Sequence, residues 1–227
     1  MSEFSGESFT GSALRCVRGG RRIFVALDFT LQAGGALILS GPNGSGKSSL
    51  LRLMAGLSPP AQGTIAWDGL AISTDREAHG ARLHYVGHAD ALKPTLTTTE
   101  MLGFWATLRG VEGARLQAAL AHLGLADRVD FPGRYLSAGQ RRRLALARLI
   151  AIPAPLWLLD EATVGLDRDG VAVLEAMIKT HREAGGMVVL ATHIPVDLGA
   201  THQELDLTQF AASGLDAVVD PFAEFAT

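Results

Sequence analysis

Residues 41–48 read GPNGSGKS, a complete G-x-x-x-x-G-K-[ST] pattern. The apolar run ALILS precedes it and the helix-compatible run SSLLRLMAGL follows. Gly41, Gly44 and Gly46 permit a tight backbone turn that aims N–H groups at phosphate oxygens. A helix opening there adds its unpaired donors and the positive end of its dipole. Lys47 is placed to reach β- and γ-phosphates, and Ser48 to offer its hydroxyl to Mg²⁺. Pro42, Asn43, Ser45 and Ser49 complete the segment expected to line the nucleotide's phosphates. A plain Gly-rich strand–helix turn is the alternative, and the Lys-Ser pair after a strand disfavours it. A second group stands in LWLLDE (156–161). Four apolar residues bury a strand, and Asp160 emerges at its carboxyl end, where open α/β sheets hold ligands. A carboxylate there can hold Mg²⁺ opposite Ser48. Side chains alternate along a strand, so Glu161 is expected to point elsewhere and to orient a water as general base.

A third group is LSAGQ (136–140). Ser137 in isolation is an ordinary helix cap. Together with Gly139 it also makes a second helix start able to bind an anion. Two phosphate-binding helix starts in one chain call for a common explanation.

These residues need elements to position them. ALILS (36–40), LWLLD (156–160) and MVVLAT (187–192) are short apolar runs that read as buried parallel strands. TIAWDG (64–69), pairing with the N-terminal segment, and RLHYVG (82–87) read as further strands. SSLLRLMAGL (48–57) reads as a helix with Leu50, Met54 and Leu57 on one face, stopped by Pro59 and Pro60. Thr97 and Glu100 have capping-box spacing. Met101, Phe104, Trp105 and Leu108 then form one helical stripe, and Leu116, Leu120 and Leu123 another. Residues ~95–150 are therefore expected to be all-helical, inserted in an α/β core.

The chain has 227 residues, 48% of them hydrophobic, with 20 basic against 23 acidic side chains and a net charge of −3. That balance disfavours a protein holding nucleic acid by bulk positive charge. The single cysteine, Cys16, allows no intrachain disulfide, which fits a reducing compartment, and its strand position points to buried packing. The most apolar stretch, 144–159, is broken by Arg148, Pro153 and Pro155, and the polar start MSEFSGESFTGS lacks a secretory h-region. His79, His84, His122, His181 and His202 are scattered and lack zinc-ligand spacing, and most are expected on the surface. Arg141, Arg142 and Arg143 read as a solvated helix face.

With GPNGSGKS, LWLLDE and LSAGQ followed by QRRRLALARLIA, the chain resembles the ABC ATPase family from about Leu14 to about Leu207. The resemblance implies a P-loop NTPase core with an antiparallel β subdomain and an inserted all-helical subdomain, in one domain over 1–227. The core then spans about 1–90 and 151–210, the helical subdomain about 91–150, and residues 211–227 stay unassigned. It also implies a homodimer of cassettes, each ATP sandwiched between Gly41–Ser49 of one copy and Leu136, Ser137, Ala138, Gly139 and Gln140 of the other. Ala138 stands where Gly is commoner, and Val164-Gly165 where Ser-Ala is usual. His193 matches the switch histidine near the γ-phosphate, and with Glu161 and Lys47 it makes the implied catalytic set. Arg18 occupies the place of an adenine-stacking aromatic, with Phe24 a less favoured stacker.

The family normally has Gln at His88, reaching Mg²⁺ and the attacking water, so His88 joins both the catalytic and the metal sets with Ser48 and Asp160. Protonated, it would be repelled by Mg²⁺, and His88→Gln is expected to lose acid sensitivity. V-G-H, the short length and the RGGRRIF-like start resemble the branch serving c-type cytochrome biogenesis. That branch implies integral membrane permease subunits as partners, peripheral attachment at the cytoplasmic face of the inner membrane, haem met only indirectly, and no nucleic acid. The rival readings are another small ABC exporter, a soluble non-transport ABC ATPase and a non-enzymatic nucleotide-binding regulator.

Overall fold

The protein is described by a computed structural model over residues 7–111, 115–199 and 201–212, so the tail beyond 212 lies outside the described residues. The element order is β1 (Ser8–Arg18), β2 (Arg21–Gln32), β3 (Ala36–Ser40), α1 (Lys47–Met54), β4 (Gln62–Trp67), β5 (Leu70–Ala71), α2 (Arg76–Ala81), β6 (Leu83–Val86), α3 (Thr98–Leu108), α4 (Leu116–His122), α5 (Ala138–Ala151), β7 (Leu156–Asp160), α6 (Arg168–Glu183), β8 (Met187–Ala191) and β9 (Gln203–Asp206). Between β6 and β7 the described elements are helical, with two short 3-10 turns, as the sequence leads one to expect.

Five strands form a parallel sheet in the order β6-β7-β8-β3-β9. Every residue of β7 and β8 is buried, which is why both read as unbroken apolar runs. The side chains of β7 alternate between two cores. Trp157 and Leu159 join α3, α4, α5 and α6 on one face, whereas Leu156 and Leu158 join α1 and the antiparallel sheet on the other. That second sheet runs β2-β1-β4-β5, with β1 antiparallel to both β2 and β4.

Three expectations change. Helix α1 ends at Met54, terminated by Gly56 and not by the prolines. Gly56 takes φ 68, the Leu57 N–H donates to the Arg52 carbonyl at 3.0 Å, and the Gly56 N–H donates to that of Leu53 at 3.0 Å. This is a Schellman termination, which glycine permits at no steric cost, and it turns Leu57 out into solvent. On α3 the buried face is Met101, Leu102 and Ala106, with Trp105 partly covered, while Phe104 and Leu108 are exposed. Of the five scattered histidines, His122 and His202 are exposed, whereas His79, His84 and His181 are buried. The His84 Nε2–H donates to the Ile152 carbonyl at 2.7 Å, and His181 stacks on Trp157 with centroids 3.9 Å apart. Burial pushes His84 down to about 3 and His181 to about 4, so both sit neutral in the interior.

Candidate active site

The carboxyl ends of β3, β7 and β8 meet at one edge of the parallel sheet. Ser40 leads into the 41–48 loop, where Gly41, Gly44 and Gly46 all have positive φ. Gly46 is the residue before α1, and a Cβ there would lie 2.6 Å from Ile23 Cγ2, so only glycine fits. Lys47 is 7% exposed, and its ammonium donates to the carbonyls of Gly41 at 2.7 Å and Pro42 at 3.2 Å. The cation is thus folded into the cradle. Pro42, Asn43 and Gly44 are exposed at its rim, and Ser45 and Ser49 are half-buried.

From β7 comes the carboxylate. Ser48 Oγ donates to Asp160 Oδ1 at 3.0 Å, and the Tyr85 hydroxyl donates to Oδ2 at 3.3 Å. A hydroxyl and a carboxylate at one helix start are hard oxygen donors of the kind Mg²⁺ takes, with other places left for phosphate oxygens and water. Among the described residues no cluster of three or more His, Cys, Asp or Glu could bind a metal without such help.

Glu161 diverges from Asp160 for a reason other than strand alternation. The strand ends at Asp160, and Glu161 turns left-handed with φ 53. Its N–H donates to the Ala191 carbonyl at 2.9 Å, keeping it beside the end of β8. Two residues on, His193 Nε2 lies 3.2 Å from Glu161 Oε1. The structure therefore brings Lys47, Ser48, Asp160, Glu161 and His193 to one edge. His88 is exposed in the loop that follows β6, two residues past the end of a strand that runs parallel to β7.

Residues 136–140 cap α5. Ser137 Oγ accepts from the Gln140 N–H at 3.2 Å, and Gln140 Oε1 accepts from the Ser137 N–H at 2.9 Å. Leu136 is buried, Ser137 and Ala138 are exposed, and Gly139 and Gln140 line a cleft with Gly124, Arg143, Gly165 and Asp167. No hydrogen bond joins this turn to residues 41–49 of the same chain, so the second helix start faces outward.

Of the two positions considered for adenine stacking, Arg18 is exposed and Phe24 is not. Arg18 Nη2 donates to Ser58 Oγ at 2.9 Å, and the Phe24 ring is wholly buried. Cys16 is buried as anticipated, and burial raises its thiol pKa. The arginine triplet departs furthest from expectation. Arg143 pairs with Asp167 at 2.6 Å, and Arg142 is 3% exposed, because backbone carbonyls from two other segments surround its guanidinium. Nothing in the residue pattern of 141–143 signals those remote acceptors.

The family described as ABC transporter matches residues 24–164. The chain is 54% identical over 213 residues to the cytochrome c biogenesis ATP-binding export protein CcmA of Paramagnetospirillum magneticum, covering 92% of this chain and 98% of that one. It is 57% identical over 199 residues to the CcmA of Rhodospirillum rubrum, covering 87% and 85%. An ATP-binding cassette solved as a dimer in a post-hydrolysis state with ADP and phosphate superposes with a TM-score of 0.73 at 23% identity, over 82% of this chain and 88% of that one. That likeness identifies the fold as an ATP-binding cassette. On these matches, and on the phosphate cradle and carboxylate edge that the fold assembles, the chain belongs to the ABC transporter family as an ATP-binding subunit.

Proposed function

We propose that this chain hydrolyses ATP to energise an integral membrane partner in c-type cytochrome biogenesis, as the names of its relatives suggest. The observation that carries the hydrolytic part is the contact between Glu161 and His193, formed beside the Ser48–Asp160 pair at the sheet edge. Residues 41–49 bind the triphosphate, and the Lys47 ammonium exchanges its loop carbonyls for phosphate oxygens. Ser48 and Asp160 would hold Mg²⁺, which would supply charge neutralisation on the β- and γ-phosphates. Glu161 takes a proton from water as the water oxygen bonds to the γ-phosphorus. The bond from that phosphorus to the bridging oxygen breaks, and ADP leaves with the electron pair. His193 orients Glu161 and can donate to the γ-phosphate. His88 keeps, by resemblance alone, its assigned role toward Mg²⁺ and the attacking water.

A second copy completes the site. The exposed start of α5, with Ser137, Ala138 and Gly139, has no phosphate to meet within its own chain. Head-to-tail pairing puts it across from residues 41–49. The helical segment, about 91–150, then carries the closing motion to the membrane partner. Among the described residues no helix is long and apolar enough to cross a membrane, which fits attachment at the cytoplasmic face of the inner membrane through permease subunits. Haem is met only through those partners.

The test is ATP turnover by the wild type and by Glu161→Gln. The variant is expected to bind ATP as tightly and to lose turnover about a hundredfold or more. Undiminished turnover overturns the hydrolytic reading. Co-purification of the chain in detergent with membrane proteins of cytochrome c biogenesis tests the partner, and their absence overturns that assignment.

A further inference from the structure

We infer that Arg142 is a positioning residue, which fixes the backbone of Glu161 and ties it to the start of α5 and to the loop carrying His88. The inference rests on the reading of Glu161 as general base. A guanidinium has five N–H donors in a rigid plane. In Arg142 all three nitrogens are engaged, by five acceptors. Nε donates to the Ala162 carbonyl at 3.1 Å. Nη2 donates to the carbonyls of Asp160 at 3.2 Å and Glu161 at 2.6 Å. Nη1 donates to the Gly87 carbonyl at 2.8 Å and to Asp90 Oδ1 at 3.2 Å. One buried side chain therefore ties three segments: α5, the turn that ends β7, and the loop at 87–90.

Glu161 is where this matters. A non-glycine residue keeps a left-handed φ of 53 only when its surroundings over-determine it. Here the N–H is held by Ala191, and the carbonyl accepts from Arg142 and from the Val164 N–H at 3.1 Å. With both ends of the residue fixed, its carboxylate stays 3.2 Å from His193. Arg142 lies two residues beyond Gln140 on the helix whose start Ser137 caps. A displacement of α5 relative to the sheet stretches the bond from Nη2 to the Glu161 carbonyl. The engagement of that helix start by nucleotide on the neighbouring copy is thereby sensed at the general base of the same copy. Lysine offers three donors from one point and glutamine two, so neither spans all five acceptors.

The experiment uses the full chain carrying Arg142→Lys or Arg142→Gln, each also combined with Glu161→Gln. Thermal melting establishes folding, equilibrium binding gives ATP affinity, and steady-state and single-turnover hydrolysis give rates. Both single variants are expected to bind ATP within about twofold of wild type and to keep KM, while kcat falls about tenfold or more, lysine retaining more than glutamine. In the Glu161→Gln background the Arg142 substitutions are expected to add less than about a twofold further loss, because the two residues act through one group. Folded variants turning over at the wild-type rate overturn the inference, as do losses that multiply with that of Glu161→Gln. Should neither Arg142 variant fold, Asp90→Asn decides. Asp90 is partly exposed, and removing its charge loosens Nη1, so kcat is expected to fall about threefold or more at constant KM. Wild-type kcat there overturns the inference. Loss in Glu161→Gln without loss in the Arg142 variants overturns only this inference, whereas no loss in Glu161→Gln overturns the reading beneath it.

Discussion

Lys47 and Ser137 make opposite demands on the same ligand, and their substitutions separate binding from closure. Lys47→Ala removes the ammonium folded into the cradle and is expected to weaken ATP binding tenfold or more, about 1.4 kcal/mol at least, in equilibrium titration. Ser137→Arg puts bulk at an exposed cap outside the cradle. It is expected to leave ATP binding to the single chain intact and to abolish most turnover, measured by phosphate release. At this scale the sequence was readable where a residue's job depends on its immediate neighbours. GPNGSGKS, the Ser137–Gln140 cap and Asp160 all stand as their local patterns foretell. It was opaque where the job depends on distant backbone. Arg142 is indistinguishable in the sequence from its half-buried neighbours Arg141 and Arg143, and its acceptors arrive from Gly87, Asp90 and Asp160–Ala162. His84 and His181 give no sequence sign of burial for the same reason.

Elements follow from patterns one or two turns long. The strands ALILS and LWLLD follow their apolar runs and close on Ser40 and Asp160 at the sheet edge; LWLLD is buried throughout, and in ALILS only Ile38 and Ser40 are half-buried. Helix α3 opens at Thr97, whose Oγ1 accepts from the Glu100 N–H at 3.1 Å, while Glu100 Oε2 accepts from the Thr97 N–H at 2.8 Å. Thr97→Ala removes one half of that box and is expected to cost about 1 kcal/mol. A melting midpoint lower by a few degrees, with wild-type ATP affinity, is the result to look for. Periodicity gave the stripe of α3 but not its cover. Phe104 and Leu108 keep helical spacing with Met101 yet face outward, because α5 and α4 reach only as far as Met101, Leu102 and Ala106. Lys93 lies over the Phe104 ring at 5.2 Å, so the exposed aromatic is partly shielded.

For the whole molecule, the buried histidines set the response to acid. His84 and His181 have pKa values held down to about 3 and about 4, chiefly by burial, from an ordinary 6.5. Between those values and 6.5 the unfolded chain binds protons that the folded one refuses, so stability rises with pH there. It is fully present above 6.5 and falls by about 2 kcal/mol per histidine as pH drops to 5. Melting midpoints measured from pH 7.5 to 5 should decline steadily, and His84→Gln, which keeps a donor for Ile152, should flatten part of that decline. The parallel sheet that separates the two cores has its own consequence. Damage to the α1 compartment and damage to the α6 compartment are insulated by a layer of backbone, so their penalties should sum rather than compound. A lineage that has lost packing on one side can then be repaired by fortifying the other, without restoring the original residue.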